Sequence, residues 1–173
     1  MNIFFLGYMG CGKSFFSKKL AKLLSQESID LDFQIEKKEK KTISEIFLNK
    51  GENYFRKRES MELNLILKTK KDFILASGGG TPCFLKNIEL MNRFGLTIYL
   101  KKDPNSLYNL LINSNQKRPV FDSFETKDEF FNNFNKRKKF YLKSKLIIEC
   151  DFLSNSEILD QINNKLNEYR FKK

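Results

Sequence analysis

Residues 2–15 read NIFFLGYMGCGKSF, and this stretch decides the fold. Five mainly apolar residues, of the kind that form a buried strand, lead directly into Gly7. From Gly7 onward the letters GYMGCGKS match G-x-x-x-x-G-K-[ST], the phosphate-binding loop. In such a loop the backbone N–H groups point inward at a phosphate, and the helix that follows adds its N-terminal dipole. The stretch therefore predicts a strand, a phosphate-binding loop and a helix, in that order.

The loop also predicts how a nucleotide is held. Lys13 is placed to reach the β- and γ-phosphates, and the hydroxyl of Ser14 is placed to bind Mg²⁺. The candidate nucleotide-binding residues of this stretch are Gly10, Cys11, Gly12, Lys13, Ser14 and Phe15. The alternative is a glycine-rich turn with an exposed lysine. For Cys11 two interpretations stay open, a small side chain in a serine-sized position and a redox-sensitive thiol.

Apolar runs alternate with longer amphipathic stretches, which predicts one α/β domain over residues 1–173. The predicted strands are residues 2–6, 28–32, 73–77, 96–100 and 145–149. The predicted helices are residues 13–24, 52–68, 84–93, 104–112, 127–142 and 154–169, with a further helix opened by a capping box at Thr42 and interrupted at Gly51. Strands that are apolar on both sides form parallel sheets covered by helices on both faces. The expected architecture is three-layer α/β/α with a five-stranded parallel sheet.

Charge and composition narrow the class of protein. The formal net charge is +11, but the basic residues are spread along the chain, which favours a solvated lysine-rich surface over a nucleic-acid site. Three cysteines without metal-ligand spacing agree with a reducing compartment, and Cys83 and Cys150 are expected to be buried small residues. No apolar run approaches the ~20 residues of a membrane helix, and no basic region precedes the first apolar run. We expect a soluble, cytoplasmic, monomeric protein without a membrane or nucleic-acid partner.

Histidine is absent, so proton transfer near neutral pH falls to Asp, Glu, Lys or water. Arginine is scarce, with six residues against 26 lysines, at positions 56, 58, 93, 118, 137 and 170. Where a lysine-rich chain keeps arginine, the planar guanidinium can be what the site requires.

Four further stretches accompany the loop: IDLD at 29–32, GENYFRKRE at 51–59, SGGGTP at 77–82, and the arginines within QKRPVF and NKRKKFY. With the loop, this ordered set resembles the shikimate kinase family, which carries a phosphate loop, D-x-D, G-E-x-x-F-R, G-G-G, R-P in a mobile lid and R-x-x-x-Y. The resemblance covers essentially the whole chain. It implies a P-loop NTPase fold of the nucleoside monophosphate kinase type, with a substrate-binding segment at about 32–60 and a lid at about 113–127.

The implied reaction is ATP-dependent phosphorylation of shikimate on its 3-hydroxyl, with Mg²⁺ as cofactor. The resemblance assigns catalytic roles to Lys13, Asp32 and Arg118, of which Arg118 also contacts the nucleotide phosphates from the lid. Asp30 would bind Mg²⁺ through water. The implied substrate-binding residues are Asp32, Arg56, Gly78, Gly79, Gly80 and Arg137. The two arginines suit a planar carboxylate, which guanidinium groups hold in bidentate fashion.

Other functions stay open at this point. A gluconate or nucleoside monophosphate kinase has the same architecture, and gluconate also carries a carboxylate. A basic nucleotide-dependent nucleic-acid-binding protein would use the net charge but leaves the acidic pair and the paired arginines without a purpose. The chain departs from the family in residues 104–117, which lack the arginine that often stacks on adenine. The adenine contacts are therefore not predicted.

Overall fold

The computed structural model describes residues 1–171 and contains one five-stranded parallel sheet. The strands are β1 (Asn2–Leu6), β2 (Glu27–Asp30), β3 (Phe73–Ala76), β4 (Gly95–Lys101) and β5 (Leu146–Glu149), in the spatial order β2-β3-β1-β4-β5. All four pairings are parallel, and β1 lies in the middle between β3 and β4. This confirms the predicted sheet and brings the carboxyl ends of the strands to one edge.

The structure contains eight α-helices within residues 1–171. They are α1 (Lys13–Leu24), α2 (Leu31–Glu39), α3 (Ile43–Thr69), α4 (Asn87–Phe94), α5 (Pro104–Ile112), α6 (Pro119–Asp122), α7 (Lys127–Tyr141) and α8 (Asn155–Phe171). None of them is both long and apolar enough to cross a membrane.

The two faces of the sheet carry separate apolar cores, as the period of two in a strand requires. Ile3 and Phe5 of β1 belong to one core, together with side chains from α1, α5, α7 and α8. Phe4 and Leu6 belong to the other core, together with side chains from α2, α3 and α4. These four β1 side chains are completely buried. The three-layer α/β/α prediction is therefore confirmed.

The predicted interruption of α3 is present. The Thr42 hydroxyl accepts a hydrogen bond from the Glu45 N–H, and the Glu45 carboxylate accepts one from the Thr42 N–H, which completes the capping box. At Gly51 the backbone takes φ 76° and ψ 170°, a conformation that favours glycine. The helix continues beyond this kink to Thr69 and there carries Arg56.

Several boundaries differ from the prediction, and two of these differences lie next to the site. The strand predicted for 28–32 ends at Asp30, because the Asp30 side chain caps a new helix by accepting from the Phe33 N–H. Asp32 therefore lies in the first turn of α2 instead of at a strand end. The helix predicted from residue 84 begins at Asn87, since Leu85 and Lys86 have left-handed φ angles of 50° and 57°. Thr81–Cys83 form a 3-10 turn after the three glycines.

Candidate active site

A cleft of about 1330 Å³ opens at the carboxyl edge of the sheet. The segments that follow β1, β2 and β3 form its floor, and α3, α7 and the segment between α5 and α7 contribute side chains to its walls. The sequence-predicted residues that line it are Gly10, Gly12, Lys13, Ser14, Phe15, Asp30, Asp32, Arg56, Gly78, Gly79, Gly80, Arg118 and Arg137. Residues predicted from six separate stretches thus meet in one cavity.

The phosphate loop has the geometry that its glycines permit. Gly10 and Gly12 have φ angles of 84° and 96°, in the left-handed region that side chains other than glycine rarely adopt. The Lys13 ammonium donates to the carbonyl oxygens of Gly7 and Tyr8, each at 3.0 Å, and the residue is 8% exposed. The ammonium is therefore held against the loop, inside the cleft.

Cys11 is the one predicted nucleotide-binding residue that does not line the cleft. It is 4% exposed and belongs to the apolar core on the α1 side of the sheet. Its backbone N–H donates to the Tyr8 carbonyl at 3.3 Å. This position agrees with the interpretation of Cys11 as a small side chain that fills space. Cys150 is likewise buried, whereas Cys83 is half-buried.

The two predicted metal-site residues are in contact. The Ser14 hydroxyl donates to the Asp30 carboxylate at 2.6 Å. No cluster of three or more His, Cys, Asp or Glu ligands occurs within residues 1–171, so a dedicated protein cage for a metal is absent from that part of the chain. Mg²⁺ on a nucleotide uses only one or two protein oxygens beside phosphate and water. The Ser14–Asp30 pair beside the phosphate loop fits such an ion.

Asp32 has an unusual environment. Its Oδ1 atom is buried and has no hydrogen-bond partner within residues 1–171. Burial of the carboxyl, together with the nearby charges of Glu59 and Asp30, raises the pKa of Asp32 to about 7, although Lys13 and Arg56 act in the opposite direction. A carboxyl with this pKa exchanges a proton near neutral pH.

Arg56 is held from several sides. Its guanidinium donates through Nη1 to Glu59 and through Nη2 to Glu52 at 2.8 Å. Three phenylalanine rings surround the guanidinium carbon at 4.7 to 5.8 Å, namely Phe47, Phe55 and Phe84. Arg56 is 5% exposed, so its orientation is fixed before any ligand arrives.

Gly80 lies against this arginine, and Gly78 lies against Glu59 and Asp32. A Cβ atom on Gly80 would stand 2.5 Å from the Arg56 guanidinium carbon. A Cβ atom on Gly78 would stand 2.5 Å from Glu59 Oε1 and 2.8 Å from Asp32 Oδ1. These distances are shorter than van der Waals contact, so the glycines make room for the side chains of α2 and α3.

Arg137 differs from Arg56 in its partners. It is 6% exposed, and its guanidinium carbon lies 5.6 Å from the centre of the Tyr8 ring. No carboxylate within residues 1–171 forms an ion pair with it. Its Nη1 atom would be 3.8 Å from a Cβ on Gly79. The guanidinium therefore lies beside residues 78–80, which we call the glycine turn. Arg137 is thus a buried cation whose charge no acidic side chain of the described chain offsets by direct contact.

The predicted lid contains α6 and is anchored by aromatic rings. Phe121 and Phe124 pack edge-on against Phe130 of α7, with ring centres 5.9 and 6.3 Å apart. Arg118 precedes α6, lines the cleft and donates to the Gln116 side chain at 2.7 Å. Burial lowers the pKa of its guanidinium. Arg118 also has no carboxylate ion pair among residues 1–171.

Two buried residues to which the sequence assigned no role complete the site. Glu59 is fully buried and joins Arg56 to the Thr81 hydroxyl, which donates to Glu59 at 2.6 Å. Tyr141 is fully buried and donates to the Gly79 carbonyl at 2.5 Å. Glu59 stands one helical turn after Arg56, a spacing that predicts an ion pair. Tyr141 follows Arg137 at the same kind of spacing.

Two other arginines, Arg58 and Arg93, lie outside the cleft. Arg58 forms an ion pair with Glu39 at 2.7 Å and does not line the cleft. Arg93 lies at the opposite, amino edge of the sheet in a small surface depression. Neither lines the cleft. Arg93 is exposed, as expected for a surface charge, whereas Arg58 is half-buried beside Glu39.

Comparisons with known proteins bear on this arrangement. A family model described as shikimate kinase matches residues 9–167. The shikimate kinase of Azobacteroides pseudotrichonymphae genomovar. CFP2 is 37% identical over 168 residues, which cover 95% of this chain and 99% of that protein.

Solved structures of shikimate kinases are also similar to this chain. The crystal structure of shikimate kinase from Bacteroides thetaiotaomicron matches with a TM-score of 0.85 and 34% identity, over 98% of this chain and 97% of that one. Shikimate kinase from Acinetobacter baumannii in complex with shikimate matches with a TM-score of 0.89 and 28% identity, over 97% of this chain and 93% of that one. Since the family model, the sequence relative and the structures all extend over nearly the whole chain, this chain belongs to the shikimate kinase family.

Proposed function

We infer that the chain transfers the γ-phosphoryl group of ATP to the 3-hydroxyl of shikimate and releases ADP. Membership of the shikimate kinase family supports the reaction. The observation that carries the acceptor is Arg137, which is 6% exposed and lies in the cleft without an acidic partner within residues 1–171. A buried cation without a counter-charge is costly, and a ligand carboxylate offsets that cost. Shikimate carries one carboxylate.

On the donor side we assign the phosphates to the loop. The backbone of Gly10–Ser14 surrounds the β-phosphate, and Lys13 moves its ammonium from the loop carbonyls to the β- and γ-phosphate oxygens. The Ser14 hydroxyl and, through water, Asp30 would hold Mg²⁺, which would supply positive charge to offset that of the phosphates. The contact of 2.6 Å between Ser14 and Asp30 supports this assignment.

On the acceptor side we assign the carboxylate of shikimate to Arg137 and Arg56, and its ring hydroxyls to Asp32 and the glycine turn. The oxygen of the 3-hydroxyl attacks the γ-phosphorus while the bond to the β–γ bridging oxygen breaks. The hydroxyl proton passes to Asp32, whose pKa of about 7 allows the carboxyl to accept a proton near neutral pH. Phosphoryl transfer has a loose transition state, so orientation contributes more than base strength.

We propose that residues 32–60 form the acceptor-binding segment and residues 113–127 the lid of a single domain. Arg118 would approach the phosphates from the lid and stabilise the negative charge that spreads over the transferred group. The lid is joined to the body by the Phe121 and Phe124 contacts with Phe130, while Arg118 itself faces the cleft. Lid closure would also exclude water, which otherwise competes as acceptor.

We further propose that the chain acts as a monomer in the cytoplasm. The residues assigned to both substrates come from one chain. The three cysteines form no disulfide, which suits a reducing compartment supplied with ATP.

A coupled assay of ADP release tests the function. ADP formation with Mg·ATP is measured with shikimate, with gluconate, and with no acceptor. We expect turnover only with shikimate, and a loss of at least a hundredfold in kcat/KM for Arg137→Ala, because a charge-assisted bidentate contact is removed from a buried site. Arg93→Ala at the opposite edge of the sheet is the matched control and should keep wild-type kinetics. Turnover with gluconate alone would contradict the assignment of the acceptor.

A further inference from the structure

One face of α7 touches both halves of the active site. Asn133, Arg137 and Tyr141 follow one another at four-residue spacing and therefore lie on the same side of the helix. Asn133 accepts a hydrogen bond from the Tyr8 hydroxyl at 2.9 Å, and Arg137 lies over the Tyr8 ring at 5.6 Å. Tyr8 belongs to the phosphate loop. Four residues further on, Tyr141 donates to the carbonyl of Gly79 in the glycine turn.

The glycine turn is packed directly on the phosphate loop. A Cβ atom on Gly79 would stand 3.3 Å from the Met9 backbone nitrogen and 3.8 Å from the Gly7 carbonyl oxygen. The loop that holds the donor phosphates and the turn that contacts the acceptor thus meet backbone to backbone at Gly79. A small rotation of this turn changes the distance and angle between donor and acceptor.

The hydrogen bond of the Tyr141 hydroxyl restrains the rotation of this turn. The residue is 0% exposed, so it contacts no ligand, and its hydroxyl donates to the Gly79 carbonyl at 2.5 Å. The peptide unit between Gly79 and Gly80 is planar, with its N–H pointing opposite to its carbonyl. Because Tyr141 fixes the carbonyl, the Gly80 N–H points away from Tyr141. Within residues 1–171 that N–H donates no hydrogen bond to the protein, and Gly80 lines the cleft.

We propose that Tyr141 is a positioning residue for the transfer: its hydroxyl holds the Gly79–Gly80 peptide so that the Gly80 N–H serves the acceptor while the turn stays against the phosphate loop. This inference rests on the proposed function. In this proposal α7 aligns the donor with the acceptor. Asn133 contacts the phosphate loop through Tyr8, and Tyr141 contacts the glycine turn through Gly79.

The test compares Tyr141→Phe with Tyr99→Phe. The two rings pack against each other with centres 5.2 Å apart, and both residues are buried. The Tyr99 hydroxyl, however, has no hydrogen-bond partner within residues 1–171. Each variant loses one buried hydroxyl and keeps the ring, so cavity and packing effects match. Only Tyr141→Phe leaves the Gly79 carbonyl without its donor.

We expect Tyr141→Phe to raise KM for shikimate and lower kcat, with about a five- to thirtyfold loss in kcat/KM, the size expected for one buried hydrogen bond. KM for ATP should change less than twofold. A general loss of stability lowers the active fraction and therefore the apparent kcat, but it does not raise KM for shikimate. Tyr99→Phe should stay within twofold of the wild type in every constant. Equal kinetics of the two variants beside an active wild type would overturn the inference.

Gly79→Ala keeps the test decisive if Tyr141→Phe does not fold. The added methyl presses on the Met9 nitrogen from 3.3 Å and displaces the same turn while Tyr141 stays intact. It should reproduce the rise in KM for shikimate, and an unchanged KM would again overturn the inference. A wild-type protein that releases no ADP with shikimate would instead refute the proposed function itself, so the two failures are distinct.

Discussion

Replacing Glu59 by Ala tests how the acceptor site keeps Arg56 in place. The Glu59 side chain is 1% exposed and forms hydrogen bonds with the Arg56 guanidinium and, at 2.6 Å, with the Thr81 hydroxyl. The substitution leaves both donors buried and takes away the closest counter-charge of the arginine. Glu52, the second partner of Arg56, is 44% exposed and can compensate only in part.

The structure sets the size of the effect. Removing one member of a buried ion pair costs about 3–5 kcal/mol, whereas an exposed pair is worth about 0–1 kcal/mol. We therefore expect Glu59→Ala to lower the free energy of unfolding by about 3 kcal/mol or more. For a domain of this size that corresponds to a fall in Tm of about 6–12 °C. Glu52→Ala, which acts on the same guanidinium, should lower Tm by at most about 4 °C.

Thermal unfolding and steady-state kinetics measure both consequences. Besides the loss of stability, Glu59→Ala should raise KM for shikimate at least tenfold, because Arg56 loses the contact that orients it. KM for ATP should change little, since the phosphate loop does not contact Glu59. If Glu59→Ala and Glu52→Ala lowered Tm by the same small amount, the buried pair would not be the support of the arginine, and the account of the acceptor site would be wrong.

Three further predictions concern the remaining parts of the cleft. The activity of the wild type should rise as pH rises through about 7, because Asp32 must lose its proton to accept another. Since the folded pKa of Asp32 exceeds its unfolded value, the native state binds more protons than the unfolded state between about pH 4 and 7, and stability falls as pH rises through this window. In Asp32→Asn this fall in stability should disappear together with turnover. An unchanged pH profile of stability in that variant would contradict the assignment. Gly80→Ala places a methyl 2.5 Å from the Arg56 guanidinium and should raise KM for shikimate more than tenfold, as measured by initial rates. Arg118→Ala should lower kcat by about 10³ or more with little change in Tm, whereas its exposed neighbour in the lid, Lys117→Ala, should keep kcat within threefold of the wild type.

Much of the fold follows from local patterns in the sequence. The bounds of β1, α1 and α5 match the prediction, because a strand-to-loop transition, glycine punctuation and Pro104 mark them clearly. The helix α2 was missed because IDLD reads as the end of an apolar strand. The Asp30 side chain instead accepts a hydrogen bond from the Phe33 N–H and caps a helix. In this helix Leu31 and Ile35 are both buried, one turn apart. An Asp before two apolar residues four apart is a usable signal for such a helix.

The reason for the glycine turn could not be predicted. From the sequence, the three glycines allow backbone N–H groups to approach a substrate. In the structure, Cβ atoms at Gly78 and Gly80 would also collide with Glu59, Asp32 and Arg56. These side chains stand about 20 or more positions earlier in the chain, on α2 and α3, so no local pattern relates them to the glycines. Contacts of this kind depend on how the helices pack on the sheet.

The charges of the cleft explain why an acceptor with one carboxylate is preferred. Arg56 already has two carboxylate partners, so it offers a ligand oriented N–H groups but little unbalanced charge. Arg137 has none within residues 1–171, so in the proposed complex it would attract the ligand carboxylate more strongly than Arg56. Beside them, burial and the charges of Glu59 and Asp30 already raise the pKa of Asp32, and a second ligand carboxylate would face this acidic group. A neutral polyol would leave Arg137 buried and unpaired. Selection for a monoanionic, hydroxylated acceptor therefore follows from how the charges are paired, and not from the number of arginines in the cleft.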